Sequence, residues 1–446
     1  MLNHIWLALI LLAVTIGGWN GRLKEVTEGA FDGAKTAVTI ALGLIGIMAL
    51  WLGVMRLAER AGLVQRLARL LRPVMSRLFP GVPDDHPAMG SMLMNMAANM
   101  LGLGNAATPL GLRAMRDLER LNPHPGTATN PMCTFLAINT SSVQLIPTTA
   151  IAILVAAGSR NPTAIVGTSL LATLCAASVA IISVKLLEKL PIFKVRPDQL
   201  PLQKEPAIKS EAPPMTEELE AERPVRRPSR WGKALLGLLA LFFLLLFVRQ
   251  VFPEALGLPA GPVASSPNYF VRSVSALSLI AIPLLISFFI LYGALCGLPV
   301  YDEFVEGAKE GFGVILKIIP FLVTMLVAIN MFKGAGGIDL LARVLSPVLG
   351  PLHFPTDLLP IALMRPLSGG ATLALFADVV HRLGPENIVS LMAATIYGST
   401  ETTFYVAAVY FGAVGIKQTR HAIPAGLLAD LTGVVAAVLI CRAVLV

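Results

Sequence analysis

Apolar residues in this chain come in long, nearly unbroken runs rather than at alternate positions. Runs near residues 3–18, 35–57, 162–187, 231–251, 272–296, 312–332 and 423–445 are close to the roughly 18 to 25 residues a helix needs to cross a hydrocarbon core of about 30 Å. Ten-residue alternation and aromatic girdles are missing, so a β-barrel is not expected. One long polar stretch interrupts the pattern at about 190–230, with PDQLPLQKEPAIKSEAPPMTEELEAERPVRRPS at its heart. Dense in proline and in charges of both signs, it cannot bury enough surface to fold and is expected to be a disordered linker. The first run, MLNHIWLALILLAVTIGG, has no Lys or Arg before it and no small-x-small cleavage pattern. It reads as a retained helix rather than a signal peptide.

The segments on either side of the linker repeat one another. EGAFDGAK at 28–35 and EGAKEGFG at 306–313 each lead into an apolar run. AGLVQRLARLLRPVM at 61–75 matches AGGIDLLARVLSPVL at 335–349, LGLGNAATPL at 101–110 matches PLSGGATLAL at 366–375, and FLAINTSSVQLIP at 135–147 matches TIYGSTETTFYVA at 395–407. Four blocks in one order divide the chain into a repeat over 1–189, a linker over 190–230, an extra spanning helix over 231–252 and a second repeat over 270–446. The extra helix has no partner in the first repeat and would turn the second upside down. The expected fold is an all-α polytopic membrane protein of two inverted-topology repeats.

Composition agrees with a membrane location. Of 446 residues, 55% are hydrophobic and 14% charged, and mean hydropathy is +0.73, outside the range of soluble domains. The net charge of +8 is spread beside apolar runs and not gathered in one basic patch, so no nucleic-acid partner is expected. Arg56, Arg60, Arg66, Arg69, Arg72 and Arg77, then Arg113, Arg116 and Arg120, far outnumber the basic residues in the matching second-half stretches. The positive-inside rule therefore puts the N-terminus and the linker in the cytoplasm and the C-terminus outside. Arg66, Arg69 and Arg72 alternate with leucines over 63–79, the pattern of a helix lying at a lipid surface, though an anionic substrate would also suit it. Cys133, Cys175, Cys296 and Cys441 lie in or beside apolar runs without a metal-ligand spacing, so neither a disulfide nor a metal site is expected.

Candidate chemistry lies where apolar segments break. HPAMGSMLMNMAANMLGLGNAATPLGLRAM at 86–115 and LLPIALMRPLSGGATLALFADVV at 358–380 read as re-entrant hairpins, while NTSS at 139–142 and GSTETT at 398–403 interrupt spanning helices. Backbone groups freed at such breaks are tolerated only inside protein or beside water, and paired breaks in two repeats mark a transporter's midplane site. The candidates are Asn105, Thr108, Asn139, Thr140, Ser141 and Gln144 in the first repeat, and Ser368, Thr372, Ser399, Thr400, Glu401 and Thr402 in the second. They would hydrogen-bond a polar solute, with Glu401 a proton carrier, a cation ligand or an acceptor. The plainer alternative is that the hydroxyls bond back to helix carbonyls and the glycines allow close packing. An ionisable Glu401 at membrane depth needs a partner or water, and Arg365 on the facing segment could make it a structural ion pair. Asn95 and Asn99, one turn apart, would line the path or act as interhelical glue; Asp378, His381 and Asp430 are further candidates. No P-loop, nucleophile elbow, HExxH or dinucleotide fingerprint occurs, so neither an enzyme nor a cofactor is expected.

EGAFDGAK, MNMAANMLGLGNAATPLG and NPMCTFLAINTSSVQLIP resemble the spore maturation protein A family. EGAKEGFGVILKIIPFLV, MRPLSGGATLALFADV and YGSTETTFYVAAVYFGAVG resemble the spore maturation protein B family. The chain thus looks like a fusion of the two, within the nucleoside-recognition Gate group, which is similar to concentrative nucleoside transporters and to the membrane part of the ferrous iron transporter B. The resemblance implies a bacterial inner-membrane protein, a small polar solute of nucleoside-like class, a coupling proton or sodium, and homo-oligomers as in the similar transporters; contacts with membrane lipids are expected from the Arg-rich helix. It carries over Asn99, Gly104, Asn105, Asn139 and Ser141, then Arg365, Ser368, Gly369, Gly370 and Glu401. Unlike the transporters, the first repeat has no carboxylate at its break. A rival expectation is a non-transporting module assisting envelope, peptidoglycan or spore maturation.

Overall fold

The computed structural model describes residues 2–193, 228–256, 268–340, 343 and 354–445, and these form α-helices joined by short turns. Six of the helices are long and apolar enough to cross a membrane, so the protein is an all-α polytopic membrane protein. In chain order the elements are α1 (Leu2–Trp19), α2 (Leu23–Arg60), α3 (Leu63–Leu78), α4 (Pro87–Met100), α5 (Gly104–Arg120), α6 (Asn130–Ser141), α7 (Thr148–Ala156) and α8 (Ile165–Leu187). They continue with α9 (Arg230–Val251), α10 (Tyr269–Leu295), α11 (Val300–Gly334), α12 (Leu359–Met364), α13 (Gly369–Leu383), α14 (Ile388–Ser399), α15 (Thr403–Gly412) and α16 (Ala422–Leu445). Most of the expected linker, and most of the second copy of the basic helix, lie outside the described residues.

The expected spans at 35–57 and 312–332 begin too late. EGAFDGAK and EGAKEGFG do not precede their helices but lie inside α2 and α11, which run 38 and 35 residues. At 1.5 Å per residue α2 is about 57 Å long, longer than a bilayer core is thick. The reason is packing: α2 and α11 lie antiparallel along most of their length, and the glycines of the shared Glu-Gly-Ala-x-x-Gly pattern line the seam. A Cβ on Gly29 would stand 2.5 Å from the Asn330 carbonyl oxygen, and one on Gly33 2.6 Å from that of Leu326. At the other end a Cβ on Gly307 would stand 2.6 Å from the Leu52 carbonyl oxygen, and one on Gly311 2.8 Å from the Ala49 backbone. Small residues one turn apart let two backbones touch, the usual device for helix association in lipid. Arg56 closes one end of the seam on Glu303 (3.0 Å) and Glu310 (2.8 Å).

A second antiparallel pair, α8 and α16, stands beside this one, with α6 packed on both and α14 packed on both. α9, the extra helix, packs chiefly on α10 and is otherwise exposed along its apolar length. The two ends of the bundle differ. One bears the Arg-rich α3 and the ends of α5 and α8, and here Thr127 bridges Gln418 while Arg420 donates to the carbonyls of Phe193 (2.7 Å) and Ala128 (2.9 Å). At the opposite end the loop after α7 meets the loop before α14, with Ser159 donating to Glu386 (2.8 Å). Two segments interrupted in the middle, α6–α7 and α14–α15, therefore traverse the bundle in opposite directions.

Candidate functional site at the crossing of two broken helices

Ser142 sits in the left-handed region at φ 31° and ends α6, and the chain resumes as α7 only at Thr148; Thr400, extended, ends α14 before α15 starts at Thr403. Hydroxyls prepare both endings. Thr140 donates to the Leu136 carbonyl (3.1 Å), Ser141 to Ile138 (3.0 Å) and Ser399 to Ile396 (3.1 Å), back-bonds that weaken and bend a helix. The groups freed by one break are satisfied by the other. The Glu401 N–H donates to the Thr140 carbonyl at 2.6 Å, and Thr173 of α8 donates its hydroxyl to the carbonyls of Ser141 and Ser142, both at 2.9 Å. Each break is also tied to a hairpin tip: Leu145 N–H donates to the Met100 carbonyl and Phe404 N–H to that of Pro366, both at 3.0 Å.

Between the tips and the breaks lies a cavity of about 150 Å³, lined by Asn99, Gly102, Gln144, Pro147, Thr148, Thr149, Ala150, Arg365, Tyr397, Gly398 and Glu401. Its wall holds one charge of each sign. Arg365 is 2% exposed, donates from Nη2 to the Tyr397 carbonyl (3.0 Å), and lies over the Tyr397 ring at 4.9 Å. Its Nε has no partner among the described residues. Glu401 Oε2 is 4.0 Å from Arg365 Nη2, while Gln144 Nε2 donates to Oε1 at 3.3 Å. That separation is too long for the bidentate Arg–carboxylate clasp, so both groups keep capacity for a third party.

Asn99 reaches the cavity and donates to Asn139 Oδ1 (2.9 Å). Asn139 sits behind it, bonded to the Phe135 carbonyl and receiving a 3.5 Å contact from the Tyr410 hydroxyl, which in turn accepts from Asn95 (3.3 Å). Asn99, Gln144, Arg365 and Glu401 are thus the expected residues that meet at the cavity. The others serve the scaffold around it: Ser368 caps α13 through the Ala371 N–H (3.2 Å), Thr372 bonds back to the Ser368 carbonyl (2.8 Å), and a Cβ on Gly369 would stand 3.1 Å from Thr402 Oγ1. Gly370 lies at the start of the same helix, Thr402 is buried at the start of α15, and Thr400 Oγ1 is buried with no partner among the described residues. Gly104 begins α5, where Thr108 is half-buried; the side chain of Asn105 is outside the described ones. Asp378 pairs with Arg382 (2.7 Å), His381 is exposed, and Asp430 accepts from Thr403 (2.6 Å).

Tyr397, Tyr410 and Thr173 carry polar contacts at the crossing but were not foreseen. Tyr397 lies four residues before Glu401, a signal in the sequence; Tyr410 and Thr173 enter from elements whose apolar surroundings give no such cue.

The family model described as nucleoside recognition, Gate, matches residues 41–187 and 315–417, more than half of the chain and including both breaks. The chain belongs to the Gate family. Two relatives from Bacillus subtilis (strain 168) match it, each over less than half of its length. Spore maturation protein A is 50% identical over 182 residues, 41% of this chain and 93% of the relative; spore maturation protein B is 45% identical over 167 residues, 37% of this chain and 94% of the relative. This Gate protein is thus consistent with a fusion of the two. No solved structure matches it.

Proposed function

We propose that this Gate-family membrane protein is a secondary transporter of a small polar solute of nucleoside-like chemistry. The observation that carries the reading is the crossing itself: two broken helices exchange a backbone hydrogen bond at Thr140 and Glu401, and a cavity with a buried Arg365 and a half-exposed Glu401 opens beside it. Broken backbone at membrane depth beside a polar cavity is the arrangement by which secondary transporters hold their cargo. Asn99, Gln144, Glu401 and Arg365 offer donors and acceptors in a small space, as a sugar hydroxyl or a base edge requires, and the family's description supports that class. The opposed directions of α6–α7 and α14–α15 support inverted repeats that rock about the site to give alternating access. On the positive-inside rule the Arg-rich end faces the cytoplasm of a bacterial inner membrane, with the C-terminus outside.

In this reading the solute enters between the hairpin tips and takes up part of the hydrogen bonding that Arg365 and Glu401 share, and Glu401 carries the coupling proton or ligates the coupling cation. Uptake of nucleosides and other small polar solutes into proteoliposomes, with and without an imposed ion gradient, tests it. Accumulation that needs the gradient and is lost in Glu401→Gln is expected. A solute panel that crosses no faster than in empty vesicles overturns it.

A further inference from the structure

Behind the cavity, α16 presents Gly426, Asp430 and Gly433 on one face, at spacings of four and three residues. The two glycines let that face press onto the second break: a Cβ on Gly426 would stand 2.7 Å from Thr403 Cγ2, and one on Gly433 2.5 Å from Thr400 Cγ2. Between them Asp430, 2% exposed, accepts from the Thr403 hydroxyl through Oδ2, while Oδ1 has no partner among the described residues. Thr400, 3% exposed on the same break, has an unpartnered Oγ1 as well. Elements packed against α16 bring no charge to Asp430. Residues 131–141, 165–184, 273–295, 388–399 and 403–412 contain no Asp, Glu, Lys or Arg. The charged groups facing it from the break and hairpin are Glu401 and Arg365, which engage each other at the cavity.

A carboxylate placed so deeply, with one neutral hydrogen bond and no cation of its own, must have its charge compensated. Hard cations such as calcium or magnesium take about six oxygens or more, and two unpartnered oxygen atoms on a dry face do not provide such a shell. A proton needs only Oδ1. We propose that Asp430 is a proton-binding site of this protein, separate from the solute cavity. The O–H bond forms at Oδ1 with a proton drawn from water, Thr403 continues to donate to Oδ2, and the acid releases the proton to water when the Gly426–Gly433 face parts from the break. This goes beyond the transport reading, whose candidate for the coupling proton or cation is Glu401 at the cavity.

Infrared difference spectroscopy across a pH step, on the purified full-length protein in lipid nanodiscs, reads the carbonyl stretch of a protonated carboxyl group without requiring transport. A band sensitive to deuterium exchange is expected in Glu401→Gln, where Glu401 contributes none, lost when Asp430→Asn is added to that variant, and shifted when Thr403→Val is added instead, which keeps the acid but removes its donor. Absence of the band in Glu401→Gln, or its persistence when Asp430→Asn is added to that variant, would overturn the proposal. Should Asp430→Asn fail to fold, the Thr403→Val shift decides alone, and an unshifted band counts against it. Failure of every solute to cross proteoliposomes would leave the infrared result standing, so the two readings fail separately.

Discussion

The first break, α6–α7, and the second, α14–α15, share a backbone plan and differ in chemistry. In each, a back-bonded hydroxyl precedes the end of the half-helix and a hairpin-tip carbonyl receives an N–H from beyond it. At the first break, however, the buttressing helix α8 supplies the neutral Thr173; at the second, α16 supplies Asp430, and the break itself carries Glu401. The two breaks thus share the hydrogen bonds that satisfy freed backbone, while the ionisable groups stand on the second alone.

Changes at the charged break should have the largest effect. Glu401→Gln removes the anion and its attraction to Arg365 while keeping the size, and uptake is expected to fall to background with folded protein still in the membrane. Gln144→Ala, on the first break, should be milder: losing one hydrogen bond to a charged group costs about 1.5–3 kcal/mol, or roughly 10- to 100-fold in apparent solute affinity. A Gln144→Ala effect as large as that of Glu401→Gln would break the asymmetry.

The shared scaffold predicts equal penalties at mirrored positions. Gly33→Ala and Gly311→Ala each drive a methyl into the facing backbone and should each cost about 1–3 kcal/mol of stability, read as a drop in thermal midpoint in detergent. Gly46→Ala in α2, with nothing within 4 Å of the added carbon, should hold or raise the midpoint, since Ala favours a helix over Gly by about 1 kcal/mol. Unequal costs at Gly33 and Gly311 would show that the halves depend on the seam differently.

The smallest expected effect lies at the Arg-rich end. His421 precedes α16 and is buried with both ring nitrogens unpartnered among the described residues; burial, with Arg420 and Lys185 beside it, pushes the imidazole down to about 4. An unfolded His titrates near 6.5, so the stability tied to neutral His421 is complete above that value. It declines as pH falls through the interval down to about 4, where the unfolded chain takes up a proton first. The thermal midpoint should fall over that interval, and His421→Phe should flatten the fall; equal slopes would assign the acid sensitivity elsewhere.

Much of this was legible beforehand because membrane depth narrows the options. A carboxylate within an apolar run needs a partner, and Glu401 does find Arg365 and Gln144. LGLGNAATP and PLSGGAT were readable as places where an apolar helix stops: one helix ends at Met100 and the next begins at Gly104, and another ends at Met364 before α13 begins at Gly369. The hydroxyls were less informative: Thr140, Ser141, Ser399 and Thr372 all satisfy carbonyls within their own helices, and no pattern distinguishes such a hydroxyl from one aimed at a solute. EGAFDGAK was not legible as helix interior, because its glycines make sense only with the partner backbone in place. Tyr410 reaches Asn95 across more than 300 residues, a distance over which sequence spacing carries no information.

The glycine seam has a further consequence. α1 rests on α11 and α10 on α2, so each half clasps the other's longest helix, and what is one tertiary fold has the anatomy of a subunit boundary. Covalent continuity then sets only the local concentration of one half around the other. A chain severed between 194 and 227 should still travel as one particle, with the seam rather than the peptide bond as its fastening.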